Sequence, residues 1–146
     1  METKSIALLM AVLAPLSAAT AADYTVTAGH STLSAPAIVP AATIKMCLDT
    51  TGYRFGYEVR TATTTPYRLK AVLHLPAAAK TVGKDIQALN YGRDLVVDED
   101  TQSGSYRYDF SFDEGDPLGR WSIDIVVDDN IVRSVAFDVV PATVCP

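Results

Sequence analysis

Along most of the chain apolar and polar residues alternate one by one, the period of a strand with one face buried and the other wet. In residues 52–60, Tyr53, Phe55, Tyr57 and Val59 share one face, and Arg54, Gly56, Glu58 and Arg60 share the other. Residues 67–75 set Tyr67, Leu69, Ala71, Leu73 and Leu75 against Arg68, Lys70 and His74. Residues 105–112 set Tyr106, Tyr108, Phe110 and Phe112 against Arg107, Asp109 and Ser111. Trp121, Ile123, Ile125 and Val127 repeat the scheme, and Val135, Phe137 and Val139 oppose Ser134, Ala136 and Asp138. Shorter extended candidates at residues 24–28 and 42–48 come first, separated by a loop containing Pro36 and Pro40. Strands of this kind form antiparallel sheets with one solvated side.

The connections agree. Asp128-Asp129-Asn130 supplies residues that tolerate left-handed turn geometry, so residues 121–139 read as a hairpin. Asp113-Glu114-Gly115-Asp116-Pro117 is a tight polar loop, and one strand is expected from near Thr101 to Asp113. Residues 77–90 alone lack strand character. Within them, 84–90 reads as one or two helical turns ended by Gly92, or as a crossing between sheets. About seven short strands with a buried Trp121 predict an all-β, two-sheet sandwich, with a closed barrel as the competitor.

The N-terminus has a different character. Lys4 precedes an apolar run through residue 22, and Ala19-Thr20-Ala21 fits the small-x-small rule for cleavage of a secretory signal. Residues 1–21 are therefore expected to be a signal peptide and 22–146 one domain. The alternative is an uncleaved anchor, but Pro15, Ser17 and Thr20 interrupt a run that should hold about 20 predominantly apolar residues to span a bilayer. No cysteine follows the run, so no lipoprotein anchor is indicated. Export to an oxidising compartment makes Cys47 and Cys145 a candidate disulfide, the alternative being two free thiols. The expected location is the periplasm or the medium.

Composition narrows the partners. The 146 residues, 49% hydrophobic and 20% charged, describe a folded single domain. A net charge of −5 argues against nucleic acid, whose phosphates repel an acidic surface. Two cysteines are too few for a four-cysteine zinc site.

The stretch from Ser105 to Val140 is the most distinctive. It runs through an aromatic strand, an acidic loop, Gly119-x-Trp121, an alternating strand, an Asp-rich turn and a closing Phe137-x-Val139. With the upstream Gly52-Tyr53-Arg54-Phe55-Gly56, it resembles a family of small exported bacterial proteins of unknown function with an immunoglobulin-like β-sandwich. The resemblance covers residues 51–140. It implies that fold, with the Gly-x-Trp segment in the last hairpin, and it brings no catalytic residues. Residues 76–90 and the Cys47/Cys145 pair depart from the family pattern.

Motifs for chemistry are sparse. The chain holds no G-x-S-x-G, H-E-x-x-H, phosphate-binding loop or C-x-x-C. His74 belongs to an outer strand face and His30 to a Ser/Thr-rich loop, so no catalytic residue and no cofactor is assigned. Of the acidic groups (Asp98-Glu99-Asp100, Asp113-Glu114-Asp116, and Asp124 with Asp128-Asp129), Asp113, Glu114 and Asp116 are the metal candidates. Solvated turns are the competing reading. Tyr53, Tyr57, Tyr106, Tyr108 and Trp121 would make a sugar platform if exposed, but their alternation with polar residues directs them inward. The expected function is non-enzymatic binding of a protein or envelope component. The alternative is a small-ligand or divalent-metal module using the acidic loops or exposed tyrosines. A small hydrolase ranks third.

Overall fold

A computed structural model describes residues 23–48 and 51–146; the expected signal peptide lies outside the described residues. The strands are β1 (Tyr24–Ser31), β2 (Val39–Pro40), β3 (Thr43–Met46), β4 (Arg54–Thr61), β5 (Tyr67–His74), β6 (Ile86–Leu89), β7 (Asp94–Gln102), β8 (Tyr106–Phe110), β9 (Gly119–Val127) and β10 (Asn130–Pro141). They form two sheets, β2-β1-β4-β8 and β3-β10-β9-β5-β7-β6. Each sheet ends in free edge strands, so the architecture is a sandwich and not a closed barrel.

The alternation seen in the sequence is the reason for the layering. The inward sets of β4, β5 and β9 are all buried, including Phe55, Tyr57, Val59, Leu69, Leu73, Trp121, Ile123 and Ile125. Fully burying one such side chain contributes roughly 1.5–3 kcal/mol, and no helix is needed to cover either inner face. Phe55 is the centre of the aromatic packing. Its ring lies 5.0 Å from Phe110 and 4.7 Å from Phe112, with the edge of Trp121 at 5.7 Å. Trp121 satisfies its buried indole N–H by donating to the Pro117 carbonyl at 2.8 Å.

The hairpin at residues 128–130 forms as expected. Asp128 and Asp129 take φ of 48° and 64°, the left-handed pair that matches strand twist. Asp128 also accepts the Arg68 N–H at 2.9 Å, which fastens the turn to β5. At Gly56 a Cβ would lie 2.1 Å from the Tyr108 carbonyl oxygen, so the close approach of β4 and β8 requires glycine there.

Several local expectations change. Residues 86–89 are an edge strand paired with β7 and not helical turns, because Ile86 packs against the core. A 3-10 turn at Asn90–Gly92 follows, with Tyr91 fully in solvent. The expected single strand from Thr101 to Asp113 is broken at Gly104, whose φ of +68° turns the chain from the larger sheet into the smaller one. Asp98, Glu99 and Asp100 accordingly belong to β7 and not to a turn. His30 is part of β1 and stacks on Tyr53 at 5.4 Å, because β1 runs on to Ser31. Among the named strands one pair departs from the antiparallel scheme: the chain leaves the smaller sheet's side and β3 reaches β10 in parallel, Asp138 opposite Thr43 through Pro141 opposite Met46.

The Cys47–Cys145 disulfide is formed, with Cα atoms 5.8 Å apart and a separation of 98 residues. Cys47 follows β3 and Cys145 follows β10, so the bond ties the ends of two neighbouring strands. Among the described residues no helix is long and apolar enough to cross a membrane.

Candidate functional site

The chain between β1 and β10 crosses from one sheet to the other, and this crossing leaves a groove. β2 pairs with β1 only at Gly29 and His30. The chain then passes over at Ala41 and Ala42, and β3 pairs with β10 only from Asp138 onward. The Ala42 carbonyl accepts the Asp138 N–H at 2.8 Å, which marks where that pairing stops. Among the described residues, therefore, Tyr24–Ala28 of β1 and Ile131–Phe137 of β10 have no strand on that side. These two open edges face the same flank of the sandwich.

Between them run two adjoining recesses, about 410 Å³ and about 330 Å³, which share Val26 and Arg133. Ala28, Ala41, Ala42 and Ala136 keep the wider one shallow and smooth. Arg133 supplies the charge. It sits opposite Ile125, in the same phase as the inward-facing Val135 and Phe137, yet it is exposed, since among the described residues no strand of the smaller sheet covers it there. Among the described residues no carboxylate pairs with it. An irregularity between Ile131 and Arg133 sets this phase and leaves Val132 buried.

The expected metal candidates do not converge. Asp116 Oδ2 accepts the Asp113 N–H at 2.9 Å, and the Asp116 N–H donates to the Asp113 carbonyl at 3.2 Å, so the Asp116 carboxylate closes its own turn. Burial raises the Asp116 pKa above its ordinary value, the backbone bond from Asp113 lowers it, and the Asp113 charge raises it further. Glu114 points to solvent. Among the described residues no group of three or more His, Cys, Asp or Glu side chains is placed to hold a metal. The tyrosines do not form an exposed platform: Tyr53, Tyr57 and Trp121 are buried, while Tyr106, which donates to Glu99, and Tyr108 are partly buried against the core.

The outer face of the larger sheet holds an array that the sequence did not disclose. His74 on β5 lies 2.8 Å from Asp94 on β7 through Nδ1, and 3.0 Å from Asp124 on β9 through Nε2. Ser134 on β10 donates to the other Asp124 oxygen at 2.5 Å. Partial burial works against the imidazolium, but the hydrogen bonds and charges of the two aspartates outweigh it and raise the His74 pKa. The hydroxyl meets a carboxylate and not the imidazole, so the array lacks the nucleophile–base contact of a hydrolase. It clamps four strands together.

A family profile, the PM0630 beta sandwich domain, matches residues 26–140. The chain belongs to this family. PM0630-type architecture is echoed by an immunoglobulin-like protein (PA1606) from Pseudomonas aeruginosa. That structure has 15% identity over 80% of this chain and 92% of the other, at a TM-score of 0.55, and shows the fold. An alkylpurine DNA glycosylase, AlkC, from Pseudomonas fluorescens, bound to DNA containing an abasic site analog, aligns at 9% identity and a TM-score of 0.39. It covers 80% of this chain and 30% of that one, too distant to bear on it. No curated protein matches the chain. In this PM0630 domain, then, the small bacterial immunoglobulin-like sandwich is established, and the profile begins and ends in the two strands that border the groove. Arg133 was missed in the sequence although its signal was present: a charged residue two positions before Val135, in the apolar phase of a strand. His74, Asp94, Asp124 and Ser134 come from four strands, and only their register brings them together.

Proposed function

We propose that this PM0630 domain is an exported, non-enzymatic binding module that takes an extended segment of a protein or envelope component into the β1/β10 groove. The observation that carries this reading is the half-covered edge of β10: β3 pairs with one end of it and the rest is open beside Arg133. A segment laid there continues the line of β3 and gains main-chain hydrogen bonds from β10. Its side chains that point into the groove meet alanines, which favours small residues, and one position faces Arg133, which favours a carboxylate. The disulfide and the sequence of the first residues support export.

A photo-crosslinking residue at Ala136, expressed in the native envelope, tests the site, with the same residue at Tyr91 as the control. Adducts at position 136 that disappear in an Arg133→Glu background are expected. Equal adducts at both positions, or adducts at 136 indifferent to that substitution, would overturn the assignment.

A further inference from the structure

A smaller recess, of about 60 Å³, opens on the flank away from the groove, between the two sheets and under the chain that crosses from β5 to β6. Phe55, Leu73, Leu95, Phe110 and Trp121, all buried, make its inner wall, and Val82 with Ile86 at the start of β6 closes it from the side of the crossing. The Trp121 N–H is already taken by the Pro117 carbonyl, so this wall offers ring faces and alkyl groups and no side-chain donor. The polar lining, Thr81, Ser111, Asp113 and Asp116, is the exposed or half-buried part. One Asp116 oxygen accepts the Asp113 N–H; among the described residues nothing engages its other oxygen or the Asp113 carboxylate. Lys80 lays its stem over Gly115 in the same loop, yet it forms no ion pair with either acid. Burial is the largest cause of the raised Asp116 pKa, the mark of a carboxylate short of water.

We infer that this recess binds a primary alkylammonium, with its alkyl chain among the rings and its ammonium at the mouth beside Asp113 and Asp116. Size and charge select that class together. One water needs roughly 10–15 Å³ of such space, so the recess has room for about four or five heavy atoms. The inner wall accepts only apolar atoms, and the mouth carries two carboxylates with no cation of the chain beside them. A carboxylate or phosphate head would meet two like charges, and a neutral head would leave Asp116 uncompensated. An ammonium brings the opposite charge and three donors to the free oxygens. A free amine and a lysine side chain share this chemistry. The recess has no residue in common with the β10 groove, so either site can fail without the other.

Trp121 is the only tryptophan of the chain and lies in the inner wall, so its fluorescence reads the recess directly. Titration with n-butylammonium at neutral pH and low salt should give a saturable change with a dissociation constant below about 10 mM. 1-Butanol, of the same size and neutral, and butyrate, of opposite charge, should each bind about fivefold or more weakly. Asp116→Asn keeps an oxygen for the Asp113 N–H, and Asp113→Asn leaves that bond untouched. Each should weaken butylammonium by about fivefold and leave the response to 1-butanol unchanged, which shows the recess intact. Amide NMR shifts on titration should fall within residues 81–86 and 110–121. Nα-acetyl-lysine amide separates the two sources: affinity at least equal to that of butylammonium assigns a lysine side chain, lower affinity a free amine, and either sustains the site. No saturable response up to about 100 mM, equal binding of 1-butanol, indifference to both asparagine substitutions, or shifts confined to other residues would each overturn the inference.

Discussion

Reducing the Cys47–Cys145 bond should remove much of the domain's stability. The bond closes a loop of 98 residues, and in the chain-entropy description a loop of that length restricts the unfolded chain by about 4.7 kcal/mol at 25 °C. Its Cα separation of 5.8 Å is in the ordinary range, so the folded backbone needs no displacement to accommodate it. A domain of this kind has a net stability of roughly 5–15 kcal/mol, so the reduced form is left close to its folding threshold. Urea unfolding of the oxidised protein, compared with the same chain unfolded and refolded under reductant, isolates the constraint because the atoms buried are nearly the same. The reduced chain should unfold at much lower urea with a steeper denaturant dependence, since its unfolded state is more open. A difference below about 1 kcal/mol would refute the reasoning, because it would mean that the unfolded chain is not held by the link. The bond also ties β3 to β10 at the closed end of the groove, so reduction should speed amide exchange in Asp138–Pro141 before global unfolding.

The His74 clamp predicts a pH dependence with a definite sign. Its pKa is raised on folding, so its contribution is complete below the ordinary histidine value near 6.5 and is lost as pH rises through the higher folded value. Urea midpoints should fall from pH 6 toward pH 8, and His74→Gln should flatten the curve; parallel curves would refute the clamp. Trp121→Ala removes a buried indole wedged against Phe55 and Phe112 and should cost about 3–5 kcal/mol, while Tyr91→Ala, at a side chain 98% exposed, should leave stability within about 0.5 kcal/mol. If the N-terminal run directs export, N-terminal sequencing of the protein recovered from the periplasm or the medium should begin at or near Ala22.

The strands with strict alternation were legible from one sequence. Tyr53, Phe55, Tyr57 and Val59, or Trp121, Ile123 and Ile125, announce a buried face by phase alone, and all are buried. Asp128-Asp129 announced its hairpin because few residues accept that turn. What stayed hidden depends on pairing between distant segments. Residues 86–89 have no alternation and become a strand only because β7 offers an edge. His74 read as one more polar residue on an outer face, since its partners, Asp94 and Asp124, are 20 and 50 residues away. The acidic loop at Asp113–Asp116 looked like a ligand cluster because composition does not reveal that the Asp116 carboxylate serves the loop's own backbone. The groove lies between these cases. Arg133 broke the apolar phase of β10 visibly, but only the sheet order shows that no strand among the described residues covers it.

On the proposed function, the open edge of β10 receives a strand. Hydrogen exchange of this domain with the segment recovered at Ala136, synthesised as a peptide, measures that most directly. New protection is expected at alternate amides of Ile131–Phe137, weakened by Arg133→Glu and by raised salt, with the outer-face amides of β5 unchanged. Protection confined to the Asp113–Asp116 loop, or binding without any protection in β10, would contradict it.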